Sequence, residues 1–237
     1  MAKTCMILGP SGDGKSSSFI VNSDGTIDFD KYAGMDPVTT IIFNSDGKEL
    51  PFPYTKLGWK EGVNLFTSTF DKPLTGSLIE AYLNKINNGN KIKAVIIDTI
   101  NGSMNDKEML ETSKMTFDKW ADLSKDYYRL MVKANSMRND LIIYLLGHTA
   151  LTTQQDGNEL RHLVTNGKKL EKIHLETKIP IVLHTSVESG QDGDNKYSFE
   201  TKKNKSSGKS PVGMFKKFLI PNSLILVDKT IRKYYEI

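Results

Sequence analysis

Short, almost purely apolar runs alternate along the chain with segments whose apolar residues recur every three or four positions. Residues 4–8, 37–44, 91–99 and 141–149 are of the first kind, the last three reading PVTTIIFN, KIKAVIIDT and LIIYLLGHT. β-branched runs of this length, bounded by turn residues, predict buried strands. Residues 73–90 are of the second kind. Leu78, Ile79, Tyr82, Leu83 and Ile86 share a helical face, and Asn88-Gly89 closes it. A longer helical region is predicted from Ser103 to about Met137, with Met109, Leu110, Trp120, Leu123, Tyr127, Leu130, Met131 and Ala134 on one face and room for a break.

The second half continues the pattern. Residues 163–177 predict a short amphipathic helix, and 221–235 predict a closing helix with Asn222 placed as its N-cap. Residues 178–188 and 195–204 predict strands around the turn SGQDGDN, and 203–213 a flexible loop. Apolar strands separated by helices imply a mostly parallel sheet covered on both faces, with an antiparallel hairpin added at one edge. Residues 1–237 are expected to form one α/β domain.

One turn carries chemistry. Gly9-Pro10-Ser11-Gly12-Asp13-Gly14-Lys15-Ser16 matches G-x-x-x-x-G-K-[ST] at every fixed position, between a predicted strand and a predicted helix beginning at Ser16. Glycines allow backbone N–H groups to turn inward around phosphate oxygens. The following helix is expected to add its positive dipole end. Lys15 would reach the β- and γ-phosphates, Ser16 would hold Mg²⁺, and Ser17 would complete the cradle. Asp98, after the apolar residues of AVIID, is placed where a strand end would hold the metal shell. An ordinary helix cap at Asp98 or Thr99 is the competing reading.

Other candidates are less specific. His148 ends another strand, where it is a candidate γ-phosphate sensor or water-polarising group, or a polar residue with no role. Asp46 and Glu49 are candidate catalytic bases, although SDGKE is also a good turn with solvated charges. Lys48 beside them would touch phosphate or DNA, or be exposed. His162, His174 and His184 show no metal-binding spacing. No [NT]-K-x-D sequence occurs, which argues against a Ras-type GTPase and leaves adenine as the default base.

Composition narrows the classes. The 237 residues carry a net charge of +4, which does not demand nucleic acid. Only Arg129, Arg138, Arg161 and Arg232 are arginines, few for the phosphate clamps of a small-molecule kinase. The single cysteine, Cys5, lies in the first apolar run and reads as a core residue in a reducing compartment. The start lacks a signal-peptide pattern and no apolar run approaches a membrane span, so a cytoplasmic location is expected. Lys202, Lys203, Lys205 and Lys209 gather around a Ser/Gly loop, with Lys216 and Lys217 beyond and Tyr197, Phe199 and Phe215 flanking. The loop is read as a grip on DNA phosphates, as a lysine reaching a neighbouring subunit's ATP, or as a solvated surface.

Taken in order, GPSGDGKSS, GKELPFP, KAVIIDT, LLGHT, IVLHTSVESGQDGDNKYSFETKKN and GKSPVGMF…IPNSLILVD resemble a family of bacteriophage-encoded P-loop ATP-binding proteins with a RecA-like core. That family is related to phage RecA-like single-strand annealing ATPases. The resemblance implies a RecA-like P-loop NTPase fold using ATP and Mg²⁺. It implies binding to single-stranded DNA as an ATP-dependent homo-oligomer in recombination or replication, in the host cytoplasm. A phage single-strand binding protein is an implied partner. By match of position it assigns phosphate to Gly9, Gly14, Lys15 and Ser16, the metal to Asp98 and the sensor place to His148. Residues 22–37 are longer than the family pattern. A nucleotide-binding switch or assembly protein with slow hydrolysis and a protein partner is the alternative.

Overall fold

The structure is a computed structural model and describes residues 1–111, 117–153, 157, 159–166, 168–190 and 194–237. Residues 112–116 of the long predicted helical region, the side chain of Trp120 and residues 191–193 of the SGQDGDN turn lie outside the described residues.

Among the described residues, ten strands and five α-helices follow one another along the chain. Strands β1 (Lys3–Leu8), β2 (Thr40–Asn44) and β3 (Leu65–Thr67) precede helix α1 (Gly76–Asn87). Then come β4 (Ala94–Asp98), α2 (Ile100–Glu111), α3 (Phe117–Ser136) and β5 (Ile142–Gly147). β6 (Thr149–Thr153) and β7 (Glu159–Leu163) lead to α4 (Lys168–Ile173), β8 (Ile181–Glu188), β9 (Lys196–Glu200), β10 (Leu219–Pro221) and α5 (Leu224–Tyr235).

Eight strands form one sheet in the order β10-β9-β8-β1-β5-β4-β2-β3. From β8 through β3 every pairing is parallel, and β9 and β10 add an antiparallel edge. This is the expected mostly parallel α/β sheet with an antiparallel edge. β5 is inserted between the strand that ends in the glycine loop and the strand that ends in Asp98.

The central strands read as unbroken apolar runs because both faces are covered. Met6, Phe43, Val95, Ile97, Ile143 and Leu145 point to the side of α1 and α3. Their neighbours Cys5, Ile7, Ile42, Ile96 and Tyr144 point to the side of α5. A one-residue slip in any strand would exchange the two sets. α1 begins where Thr75 accepts from the Leu78 N–H, and it buries Ile79, Leu83 and Ile86. Full burial of a side chain of that kind stabilises by roughly 1.5–3 kcal/mol.

Several expectations need correction. The segment after the glycine loop is a single 3-10 turn, Ser16–Phe19, and not an α-helix over 16–21. Three consecutive serines are poor helix formers, and the chain turns back at Asn22–Thr26. The helix predicted over 163–177 is shortened to α4, followed by a separate 3-10 turn, Leu175–Lys178. Leu163 belongs instead to a β6–β7 hairpin that the periodicity did not reveal. α5 is capped by Ser223, which accepts from the Leu226 N–H at 3.2 Å, and not by Asn222. The segment 203–213 is not a free loop. Arg161 N–H donates to Lys205 O, and Lys209 exchanges both backbone bonds with Val182. No helix among the described residues is long and apolar enough to cross a membrane.

Candidate functional site

The carboxyl ends of β1, β2, β4 and β5 meet at one edge of the sheet. There the glycine loop, Asp46, Asp98 and His148 line a single cavity of about 880 Å³. That volume falls within the usual range for a small-molecule or cofactor site.

The loop is held open by its neighbours. Gly9 N–H donates to Gly147 O at 3.1 Å, tying the loop's start to the end of β5. A Cβ on Gly9 would lie 1.8 Å from Thr185 Oγ1, so only glycine fits beside β8. Gly14 has φ +76°, and a Cβ there would meet Asn222 Nδ2 at 2.5 Å and Tyr197 Cδ1 at 3.0 Å. Thr185 donates to Asp13 Oδ2 at 2.8 Å, and Asn222 Nδ2 donates to Gly14 O at 3.0 Å. Among the described residues no protein acceptor takes a hydrogen bond from the backbone N–H groups of Ser11 through Ser17. A run of undischarged amides is a cradle for an anion. With no α-helix behind it, the loop relies on these amides and on Lys15 for positive charge.

Lys15 is buried. Its ammonium donates to Gly9 O at 2.8 Å and Pro10 O at 2.6 Å. Burial lowers its pKa, and Asp98, Asp13 and Asp46 oppose that. Ser16 Oγ donates to Asp98 Oδ2 at 2.6 Å. Asp98 is buried, and its Oδ1 has no partner among the described residues. Burial raises its carboxyl to about 6, with the Ser16 bond pulling down and Asp46 pushing up. An orphaned, desolvated carboxylate oxygen beside a serine hydroxyl fits a divalent cation that completes its shell with phosphate and water. Ser16 and Asp98 are the residues that would hold Mg²⁺, which would neutralise phosphate charge. No cluster of three or more acidic, histidine or cysteine ligands occurs among the described residues.

Asp46 lies two residues past β2, the strand beside Asp98's own. It accepts from the Thr99 hydroxyl at 2.7 Å and pairs with Lys48 at 3.0 Å. Burial pushes its pKa up, but Thr99, Lys48 and His148 outweigh this and hold the carboxyl below its usual value. Glu49 also lines the cavity but is exposed. His148 is half-buried at the end of β5, its backbone N–H donating to Asn101 Oδ1 at 2.8 Å. Burial and the charge of Lys15 lower its pKa, which favours the neutral ring.

Gly9 and Asp13 shape the loop and Pro10 caps Lys15, while Ser11, Gly12, Gly14, Lys15, Ser16 and Ser17 face the cavity. The structure does not bring the lysine loop to this cavity. Lys202, Lys203 and Lys205 are exposed elsewhere, and Lys209 is half-buried against β8. Of the aromatics that flank it, Phe199 and Phe215 are core, whereas Tyr197 opens on the cavity. Thr185, Tyr197 and Asn222 escaped sequence reasoning as loop partners. They lie some 170 to 210 positions from the glycines they touch, and no local pattern marks them.

No protein-family model matches the chain, and no curated protein matches it. Among solved structures, a likeness is found to the X-ray structure of the Legionella pneumophila ATPase DotB, at 10% identity and a TM-score of 0.41. The match covers 99% of this chain and 52% of that one, so the chain spans about half the length of that protein. A likeness so remote says nothing about activity.

Proposed function

We propose that the protein binds ATP with Mg²⁺ and hydrolyses it, and that it does so on single-stranded DNA as a homo-oligomer in bacteriophage recombination or replication. The observation that carries the nucleotide reading is the convergence of three groups on one cavity. They are the undischarged amides of residues 11–17, the Lys15 ammonium and the Ser16–Asp98 pair. In this reading the loop amides and Lys15 hold the phosphates, and Asp46 accepts a proton from water as it attacks the γ-phosphorus. The bond to the bridging oxygen breaks, and ADP and phosphate leave. His148, neutral, orients that water or the γ-phosphate.

The DNA reading rests on the sequence resemblance and on the exposed lysines 202, 203 and 205. One observation favours slow turnover, as in a nucleotide switch: Asp46 is already engaged by Lys48 and Thr99. ATP hydrolysis measured with and without single-stranded DNA, over a salt series, tests both. The ATPase reading expects Mg²⁺-dependent phosphate release. The DNA reading expects stimulation by DNA, and a triple Lys→Ala change at 202, 203 and 205 that weakens DNA binding and flattens its salt dependence. Phosphate release indifferent to DNA would leave the switch reading; none at all would remove the ATPase.

A further inference from the structure

The cavity has two unlike ends, and the strand order fixes which is which. Lys15 and Ser16 follow β1. Asp98 and Asp46 follow β4 and β2, on one side of it. Tyr197 on β9 and Asn222 just past β10 lie on the other. A triphosphate whose terminal group sits by Asp98 therefore directs its nucleoside toward β9 and β10. That end is lined by Tyr197, Ile27, Val21 and Gly25, with Asp194, Asn195 and Lys196 leading into Tyr197's strand.

Tyr197 is suited to meet a flat ring. It is 40% exposed, although the next three residues of its strand are buried. Its ring rests against Gly14, where a Cβ would come within 3.0 Å of Cδ1. Its backbone carbonyl accepts from Asn222 N–H at 3.3 Å, and Asn222 in turn holds Gly14 O. The ring is thus fixed to the phosphate loop and open to the cavity. Ile27, 52% exposed, and Val21 add apolar surface at the same end. Asn222, the one buried polar side chain among the described residues at that end, has its Nδ2 committed to the loop and its Oδ1 covered.

We infer that Tyr197 is the stacking platform for the nucleotide's base, and that the site selects purine over pyrimidine triphosphates by stacking area. The inference rests on the nucleotide reading above and adds the site that reads the base. Aromatic–base stacking depends on the π-face and tolerates different base edges, and the larger purine face gains more from it.

The test compares Mg·ATP, Mg·CTP and Mg·tripolyphosphate by titration calorimetry on the wild type, Tyr197→Ala and Tyr197→Phe. The wild type is expected to bind ATP more tightly than CTP. Tyr197→Ala is expected to lose roughly 5- to 100-fold in ATP affinity, to erase most of the ATP–CTP difference and to keep its tripolyphosphate affinity. Tyr197→Phe keeps both ring and affinity. ATP binding unchanged in Tyr197→Ala would overturn the inference. So would an equal loss of ATP and tripolyphosphate, which would make Tyr197 only a prop for Gly14. A wild type that binds neither ATP nor tripolyphosphate would instead remove the nucleotide reading underneath.

Discussion

Ser16 Oγ, beyond the loop that follows β1, and Asp98 Oδ2, at the end of β4, are joined by a 2.6 Å hydrogen bond across 82 positions of sequence, with β5 between the two strands. The bond satisfies one carboxylate oxygen and leaves the other buried with no partner among the described residues. The site is therefore built at a cost to the ligand-free fold.

That cost has a sign. Asp98 titrates near 6 in the folded protein, against 3.8 for an ordinary aspartate. The folded state then binds the proton more tightly than the unfolded state, so this group's contribution to stability is full below pH 4 and is lost as pH rises through 6. The rise from 3.8 to about 6 corresponds to roughly 3 kcal/mol. Asp98→Asn is expected to raise the melting temperature of the ligand-free protein at pH 7 and to leave it little changed at pH 4. Thermal melts of both proteins across that window check this. An equal difference at both pH values would contradict it.

Asp46 and Glu49 both face the cavity, but only Asp46 is partly buried, oriented by Thr99 and held ionised by its surroundings. Asp46→Asn is expected to lower kcat by about 100-fold or more, in the range of a lost general base, with ATP affinity nearly kept. Glu49→Gln is expected to change kcat by less than about 2-fold, since its side chain is solvated. Steady-state phosphate release by the two variants decides between them.

Thr185 braces the glycine loop from β8, through its contact with Gly9 and its bond to Asp13. Thr185→Val keeps the shape and removes the donor to a carboxylate. A loss of about 1.5–3 kcal/mol is typical for a hydrogen bond to a charged group. Denaturant unfolding is expected to show it, together with weaker ATP binding because the cradle loosens.

What the sequence made legible follows from where the information is local. The glycine loop is a contiguous pattern. Strands buried on both faces, such as 94–98 and 142–147, carry no polar alternation that would blur them. The acid at 98 was readable because the strand before it was. Short edge strands of three residues, at 65–67 and 219–221, have too few positions to show a period. The serines after Lys15 fit a helix start but not a helix interior, so the predicted helix shrank to one turn. Asn222 had the chemistry of a cap, but its amide bonds Gly14 and the next residue, Ser223, caps the helix instead. Contacts of that range are set by the sheet order, which periodicity does not specify.

The central claim is that the amides of residues 11–17 and the Lys15 ammonium hold a triphosphate. Titration calorimetry of Mg·ATP into the wild type and Lys15→Ala tests it most directly. The account predicts a single site in the wild type and, in a variant that still folds by circular dichroism, an affinity lower by about 10- to 150-fold, as for a lost charged hydrogen bond. Equal affinity in the two proteins, or no binding by the wild type at millimolar ATP, would contradict it.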